Sequence, residues 1–455
     1  MARIKNPVNP VYFLDDTVSK TIDYIVQPGG KLTGRVRVPG DKSISHRSVM
    51  LGSLAEGTTC VTGLLEGEDV LSTLGAFRAM GVVAEGPDHG KLVIHGVGLH
   101  GLKAPKQALD MGNSGTAMRL MAGILAGQAF DSELVGDASL SKRPMQRVSD
   151  PLGTMGAAIA TAEGGRPPLR IAGGRKLRGI DYQMPVASAQ VKSCLLLAGL
   201  YADGETSVTE PAPTRDHTER MLRGFGHAVK TQGARVSVQG GGRLKARDID
   251  VPADISSATF FLVGASIAPG SDIVLEHVGV NPTRIGVINI LKLMGANLEL
   301  LNPREACGEP VADIRVRAAN LRGIRIPEDQ VPLAIDEFPA LFIAAACAQG
   351  ETVLTGAHEL RVKESDRIAV MAQGLKHLGI AVRETPDGIV IQGGRLQGGE
   401  IDSHGDHRIA MSFAMAALRA GGPVTVRDCK NVDTSFPGFA DLAAYSGLAI
   451  NVQRG

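Results

Sequence analysis

The chain has 455 residues, of which 44% are hydrophobic and 21% charged, with a formal net charge of +1. That length exceeds one ordinary core, and that balance excludes a disordered chain; the near-zero charge excludes a general attraction to nucleic acid or to an anionic membrane. Aromatics at 4% with no Trp leave no base-stacking platform, and Cys60, Cys194, Cys307, Cys347 and Cys429 form no CxxC pair of the kind that holds zinc.

The N-terminus has no apolar segment of the signal-peptide type, and no run of about 18 apolar residues occurs anywhere. A cytoplasmic chain with reduced thiols and no membrane span is expected. Residues 1–24 match nothing that follows and read as an N-terminal extension. Pro39-Gly40 and the Asp248-Ile-Asp-Val-Pro252 segment read as crossings between domains.

Five predicted helices follow in chain order, each opening on a polar cluster. Gly40-Asp-Lys-Ser-Ile-Ser-His-Arg47 leads into an apolar face of Ile44, Leu51 and Ala55. Asn113-Ser-Gly-Thr-Ala-Met-Arg119 leads into Met121, Ile124 and Leu125. Ser188-Ala-Gln-Val-Lys192 leads into Cys194, Leu195 and Ala198. Lys363-Glu-Ser-Asp-Arg367 leads into Ile368, Met371 and Leu375, and Asp406-His-Arg408 into Ile409 and Phe413.

An internal repeat runs beneath these helices. A helical stretch ends on a glycine and a short apolar run follows, at Gly81, Gly156, Gly226, Gly295, Gly379 and Gly447. The intervals are 75, 70, 69, 84 and 68 residues. Glycine suits the position after a helix because it takes positive φ without a Cβ clash. The run after it predicts a strand, so six α/β units are expected.

Asp, Ser and Asn fit the helix starts as caps. The cations do not fit. A helix N-terminus carries about half a positive charge, so a cation in the first turn costs roughly 0.3–1 kcal/mol. Lys42, Arg47, Lys192, Arg367 and Arg408 repeat that misfit. A bound anion would reverse its sign, since backbone N–H groups, dipole and guanidinium all favour phosphate. Taken singly, each cation equally reads as a surface charge or a salt-bridge partner. No GxxxxGK[ST] loop and no GxGxxG after a strand is present, so nothing points to ATP or a dinucleotide.

These clusters, in this order, closely resemble the 5-enolpyruvylshikimate-3-phosphate synthase family from about residue 28 to 450. The resemblance rests on Pro39-Gly-Asp-Lys-Ser-Ile-Ser-His-Arg-Ser48, Gly112-Asn-Ser-Gly-Thr-Ala-Met-Arg119, Lys142-Arg-Pro-Met145, Ser188-Ala-Gln-Val-Lys192 and Arg215-Asp-His-Thr-Glu219. It continues through Asn281-Pro-Thr-Arg284, Asp336-Glu-Phe-Pro339, Arg361-Val-Lys-Glu-Ser-Asp-Arg367 and Asp406-His-Arg-Ile-Ala-Met411. Several of these forms look like the class II branch. The resemblance implies an α/β fold of two domains, an inside-out α/β barrel-like architecture with three βαβαββ units each. Residues 40–249 would form a continuous domain, and 25–39 plus 250–455 a discontinuous one, with the active site between them.

The implied reaction moves the enolpyruvyl group of phosphoenolpyruvate to the 5-hydroxyl of shikimate 3-phosphate by addition and elimination. No metal or organic cofactor is expected, and the family default is a monomer. By similarity Ser43, Arg47, Ser188, Ala189, Gln190, Arg215, Asp336 and Lys363 would bind shikimate 3-phosphate. Lys42, Gly115, Arg143, Arg367 and Arg408 would hold phosphoenolpyruvate, with Gln190 reaching both. Asp336 would take the hydroxyl proton, and Glu364 would transfer a proton at the methylene carbon with Lys42 nearby. Asp336 also reads as a plain cap before Glu-Phe-Pro. His407 is a further catalytic candidate, although Asp-His before a helix is also an ordinary capping pair.

Two positions stand apart. Many relatives of the resembled family carry Lys just before the late Thr-Phe-Pro; here Thr434-Ser-Phe-Pro has none, and Lys430 is the nearest substitute. Gly115 stands where insensitive class II members can carry Ala, which implies that glyphosate competes with phosphoenolpyruvate here. Two rivals share part of the pattern. UDP-N-acetylglucosamine enolpyruvyl transferases usually have a reactive Cys five residues before the Arg-Pro, a position held here by Ala138. A non-catalytic anion-binding repeat protein would explain the cations but not the acids among them.

Overall fold

The structure is a computed structural model and describes residues 21–455. The six repeat glycines all adopt positive φ, from 82° at Gly379 to 117° at Gly447, and each is followed within three residues by a strand. They end six outer helices, such as Glu68–Ala79 and Arg367–His377.

Among the described residues there are six sheets, one per repeat, on a common plan. In the second, Leu109–Asp110 runs parallel to Ser132–Val135, which pairs antiparallel with Arg166–Ala172, and that strand pairs antiparallel with Ala158–Ala162. The chain order is strand, helix, strand, helix, strand, strand. The fifth sheet keeps its parallel member only as the bridges Arg322↔Gln349 and Arg325↔Val353.

Three sheets borrow a strand from far along the chain. Leu244–Lys245 and Ile249–Asp250 complete the first sheet beside Ala55–Thr62. Thr33–Val36 completes the fourth beside Asp272–Gly279. Ile22–Val26 lies in the sixth, between Val424–Arg427 and Ile450–Arg454, with Tyr24 opposite Val426 and Val452. Residues 22–24 are therefore strand rather than extension, and residues 1–20 of the supposed extension lie outside the described residues.

Two hydrophobic cores result. One gathers residues from Ile44 to Val251; the other joins Ile22–Val38 to residues from Ala253 to Leu448. Inside the first sit the helices Lys42–Leu54, Gly115–Ala126 and Ala189–Gly199; inside the second sit Ile255–Ile267, Phe338–Cys347 and His407–Ala416. These inner helices are buried on nearly every face. All thirteen residues of Ile255–Ile267 are buried, which is the pattern of a helix surrounded by protein rather than lying on it. They pack closely: a Cβ at Gly123 would sit 2.2 Å from the Cys194 carbonyl oxygen, so only glycine fits there.

The chain crosses between the bodies twice, and the crossings lie side by side. Asp41 N donates to the Pro252 carbonyl at 2.8 Å and Asp254 N to the Pro39 carbonyl at 2.9 Å. Asp41 and Asp254 then cap the Lys42 and Ile255 helices. No helix among the described residues is long and apolar enough to cross a membrane.

One helix end and one helix start differ from the expectation. The Lys42 helix stops at Leu54, with Ala55 already extended. The helix expected from Lys363 begins only at Arg367, because Lys363 is extended and Asp366 supplies the cap, its Oδ1 accepting from Ala369 N at 3.0 Å.

Candidate active site

The inner-helix starts of the two bodies face one another. Lys42 opens its helix behind Asp41, whose Oδ1 accepts from Ile44 N at 2.8 Å. The Lys42 ammonium donates to Asp69 Oδ2 at 2.9 Å and to Ser435 Oγ at 2.7 Å. Ser435 belongs to the other body, so one side chain spans the gap. Lys430, the substitute read from the sequence, is exposed.

Ser43 lies beside Lys42, half-buried. One turn on, Arg47 is 3% exposed and donates to Thr218 Oγ1 at 2.7 Å, the Ser43 carbonyl at 2.9 Å and Ser193 Oγ at 2.8 Å. Burial pushes Arg47 down to about 10, so it stays charged at neutral pH among neutral hydrogen-bond partners.

Ser114 and Ser188 cap the next two inner helices through Ala117 N and Val191 N. Ala189 is the first residue of its helix. Gln190 reaches across to the neighbouring helix, accepting from Arg119 Nη1 at 2.5 Å and donating to Thr116 Oγ1 at 2.9 Å. Arg143 donates to Asn113 Oδ1 at 2.7 Å and lies 3.9 Å from Glu364 of the other body. A Cβ at Gly115 would stand 2.9 Å from Arg119 Nη1 and 3.4 Å from Arg143 Nη1, so its backbone sits directly under two guanidiniums.

In the second body Asp336 is ringed by cations. Arg215 of the first body pairs with its Oδ2; Lys363 Nζ and Arg367 Nη1 lie 3.4 and 3.5 Å from Oδ1. Arg408 Nη1 donates to its backbone carbonyl at 3.0 Å. Burial alone would raise the Asp336 pKa, but Lys363, Arg215, Arg408 and Arg367 hold it well below the usual carboxylate range. Asp336 is not the helix cap. Glu337 occupies that position, which frees the Asp336 carboxylate for the cleft.

Arg367 is 1% exposed and meets Asp406 at 2.9 Å and Glu364 at 2.6 Å besides Asp336. The Glu364 side chain is part-buried at the cleft, 31% exposed; that burial would raise its carboxyl pKa, but Arg367 and Arg143 hold it far below the ordinary range. His407 is 6% exposed, and its Nε2 has no hydrogen-bond partner among the described residues. Burial, with Lys42 and Arg408 beside it, pushes His407 down to about 3, so the imidazole is neutral at physiological pH.

Lys192 departs from the expected pattern. It is 1% exposed and lies 2.7 Å from both Glu210 and Glu219. Its cation is neutralised inside the body and offers nothing to an anion in the cleft. Asp69, Arg119 and Ser435 were not singled out in the sequence. Arg119 closes the quoted Gly112–Arg119 motif, but Asp69 and Ser435 carry no local signal.

The assembled cations can bind several anionic groups at once, and the two cleft carboxylates can exchange protons. Known proteins resemble this chain along nearly its whole length. The EPSP synthase (3-phosphoshikimate 1-carboxyvinyltransferase) family model matches residues 26–442. A 3-phosphoshikimate 1-carboxyvinyltransferase of Methylococcus capsulatus is 69% identical over 433 residues, covering 95% of this chain and 99% of the relative. One from Acidithiobacillus ferrooxidans is 67% identical over 429 residues, covering 94% and 99%. The solved structure of EPSP synthase from Acinetobacter baumannii superposes with a TM-score of 0.88 at 62% identity, covering 95% of this chain and all of that one. The fold thus has a known counterpart, and the chain belongs to the EPSP synthase family.

Proposed function

We propose that this protein transfers the enolpyruvyl group of phosphoenolpyruvate to the 5-hydroxyl of shikimate 3-phosphate and releases phosphate. The observation that carries this reading is the pairing of Asp336 and Glu364 with Arg143, Arg215, Lys363 and Arg367, with Arg408 on the Asp336 carbonyl and Lys42 beside His407, drawn from both bodies. Two phosphates and two carboxylates must be held side by side, which requires such a density of cations. A hydroxyl must lose a proton and a carbon must gain one, which requires acids and bases at the same place.

Ser43, Arg47, Ser188, Ala189, Gln190, Arg215 and Lys363 hold shikimate 3-phosphate in this reading, with Asp336 at its 5-hydroxyl. Lys42, Gly115, Arg143, Arg367 and Arg408 hold phosphoenolpyruvate. The 5-oxygen attacks C2 of phosphoenolpyruvate as Asp336 accepts its proton. C3 takes a proton from Glu364 and becomes a methyl group. The tetrahedral adduct then returns that proton to Glu364, the C–O bond to phosphate breaks, and phosphate leaves with the hydroxyl proton.

The free site holds both carboxylates ionised. Bound phosphates occupy the same cations and add negative charge beside Asp336 and Glu364, which raises both pKa values. Substrate binding itself therefore equips Glu364 to deliver a proton. In this reading the protein works as a monomer in the cytoplasm. Gly115 leaves room beside Arg119 and Arg143, so glyphosate competes with phosphoenolpyruvate.

The test is phosphate release by the purified protein with both substrates and with each omitted, without added metal or nucleotide. Release that needs both, with enolpyruvylshikimate 3-phosphate formed, supports the reading. Release only when UDP-N-acetylglucosamine replaces shikimate 3-phosphate would overturn it.

A further inference from the structure

Two sequence motifs have no part in the substrate contacts above: Asp216-His-Thr-Glu219 and Asn281-Pro-Thr-Arg284. They meet where the two crossings lie side by side. Arg284 is 3% exposed. Its Nη1 is 3.3 Å from Asp41 Oδ2; its Nη2 is 3.4 Å from Asp254 Oδ1, 3.5 Å from Glu337 Oε1 and 2.7 Å from Ser256 Oγ. Asn281 Nδ2 donates to Asp216 Oδ1 at 2.6 Å and to Glu309 Oε2 at 2.8 Å.

The partners share a property. Asp41 immediately precedes Lys42, Glu337 immediately follows Asp336, and Asp216 immediately follows Arg215. Asp254 also accepts from the Lys42 backbone N–H at 3.3 Å. One buried guanidinium therefore holds the chain neighbours of two groups that act from opposite sides of the cleft. Three carboxylates converge on it, and burial is outweighed, so Arg284 stays charged beyond the ordinary guanidinium range.

We propose that Arg284 is a positioning residue that sets the separation of Lys42 from Asp336 by clamping Asp41 and Glu337 together. It touches neither substrate. Its planar fork fixes three acids at once, which a lysine ammonium cannot do with the same geometry. Displacing reacting groups by about 1 Å costs on the order of 100-fold in rate, so the effect belongs in turnover. The inference rests on the function proposed above.

The experiment uses the full chain with Arg284→Lys, which keeps the charge among the three acids but loses the fork. Turnover, Michaelis constants, shikimate 3-phosphate affinity by calorimetry, and melting temperature are measured beside the parent protein. Turnover falling about 30- to 100-fold, with affinity within about fivefold, is expected. Turnover within about twofold of the parent overturns the proposal, as does an equal loss of turnover and affinity. If Arg284→Lys does not fold, Glu337→Gln is measured the same way; a tenfold loss of turnover is expected, and unchanged turnover overturns it. An inactive parent overturns the proposed function itself and takes this inference with it.

Discussion

Lys192 and Arg408 present the same sequence signal, a cation in the first turn of a buried inner helix, and the structure gives them opposite meanings. Lys192 Nζ lies 2.7 Å from Glu210 and from Glu219, and its side chain is 1% exposed. Among the described residues the Arg408 side chain meets only a carbonyl, that of Asp336, and stays partly open to the cleft. The helix dipole disfavours both equally. What separates them is whether distant acids reach the cation before a ligand can. Arg408 keeps charge for the cleft, whereas Lys192 gives its charge to two buried acids that are not the cleft carboxylates Asp336 and Glu364.

Substitutions can break that contrast. The largest effect is expected at Asp336, whose oxygens meet Arg215, Lys363 and Arg367. Asp336→Asn should lower turnover by about 10²–10⁴ in steady-state assays, the usual worth of a positioned base. Lys192→Met should act on the other side of the comparison. It leaves two buried carboxylates without their cation, which costs about 3–5 kcal/mol in denaturant unfolding, while activity per folded molecule is unchanged. Lost activity without lost stability would erase the distinction.

A pH series sharpens it further. His46 and His407 are both pushed down to about 3, chiefly by burial, against an ordinary value near 6.5. Between pH 6.5 and 3 the unfolded chain takes up protons at these sites and the folded chain does not, so stability falls as pH drops through that window. Each contributes a slope of about 1.4 kcal/mol per pH unit. Between pH 6.5 and 5, above most carboxylate titration, His46→Asn should flatten the slope by about that amount. His46 donates or accepts at Thr73 and Ser114 inside one body, so turnover should keep its pH profile.

The smallest expected effect is at Gly115. Gly115→Ala places a methyl 2.9 Å from Arg119 Nη1, whose flexible end can shift. The glyphosate inhibition constant should rise about tenfold more than the phosphoenolpyruvate Michaelis constant, a size set by one buried methyl group. Equal changes in both would remove Gly115 as a discriminating position.

Much of this was legible from the chain. The six glycines announce the repeats because each helix end has a local requirement, positive φ, that few other residues meet. The caps Asp41, Ser114, Ser188, Asp366 and Asp406 are legible for the same reason. What failed was non-local. The acids that neutralise Lys192 lie 18 and 27 residues away in sequence. Glu337 displaces Asp336 as the cap by a single residue, a choice made by Arg284 and Ser256 from elsewhere in the chain. The Lys42–Ser435 contact spans 393 residues and has no sequence trace.

The central claim is that the cleft carboxylates do proton work rather than merely balance charge, and Glu364→Gln tests it most directly. Glutamine keeps the shape beside Arg367 and Arg143 but cannot carry the proton. Turnover and shikimate 3-phosphate affinity would be measured on the same preparation. The account predicts turnover reduced by about 100-fold or more with affinity held within a few-fold. Undiminished turnover, or a change confined to affinity, would contradict it and leave the cleft as an anion-binding surface.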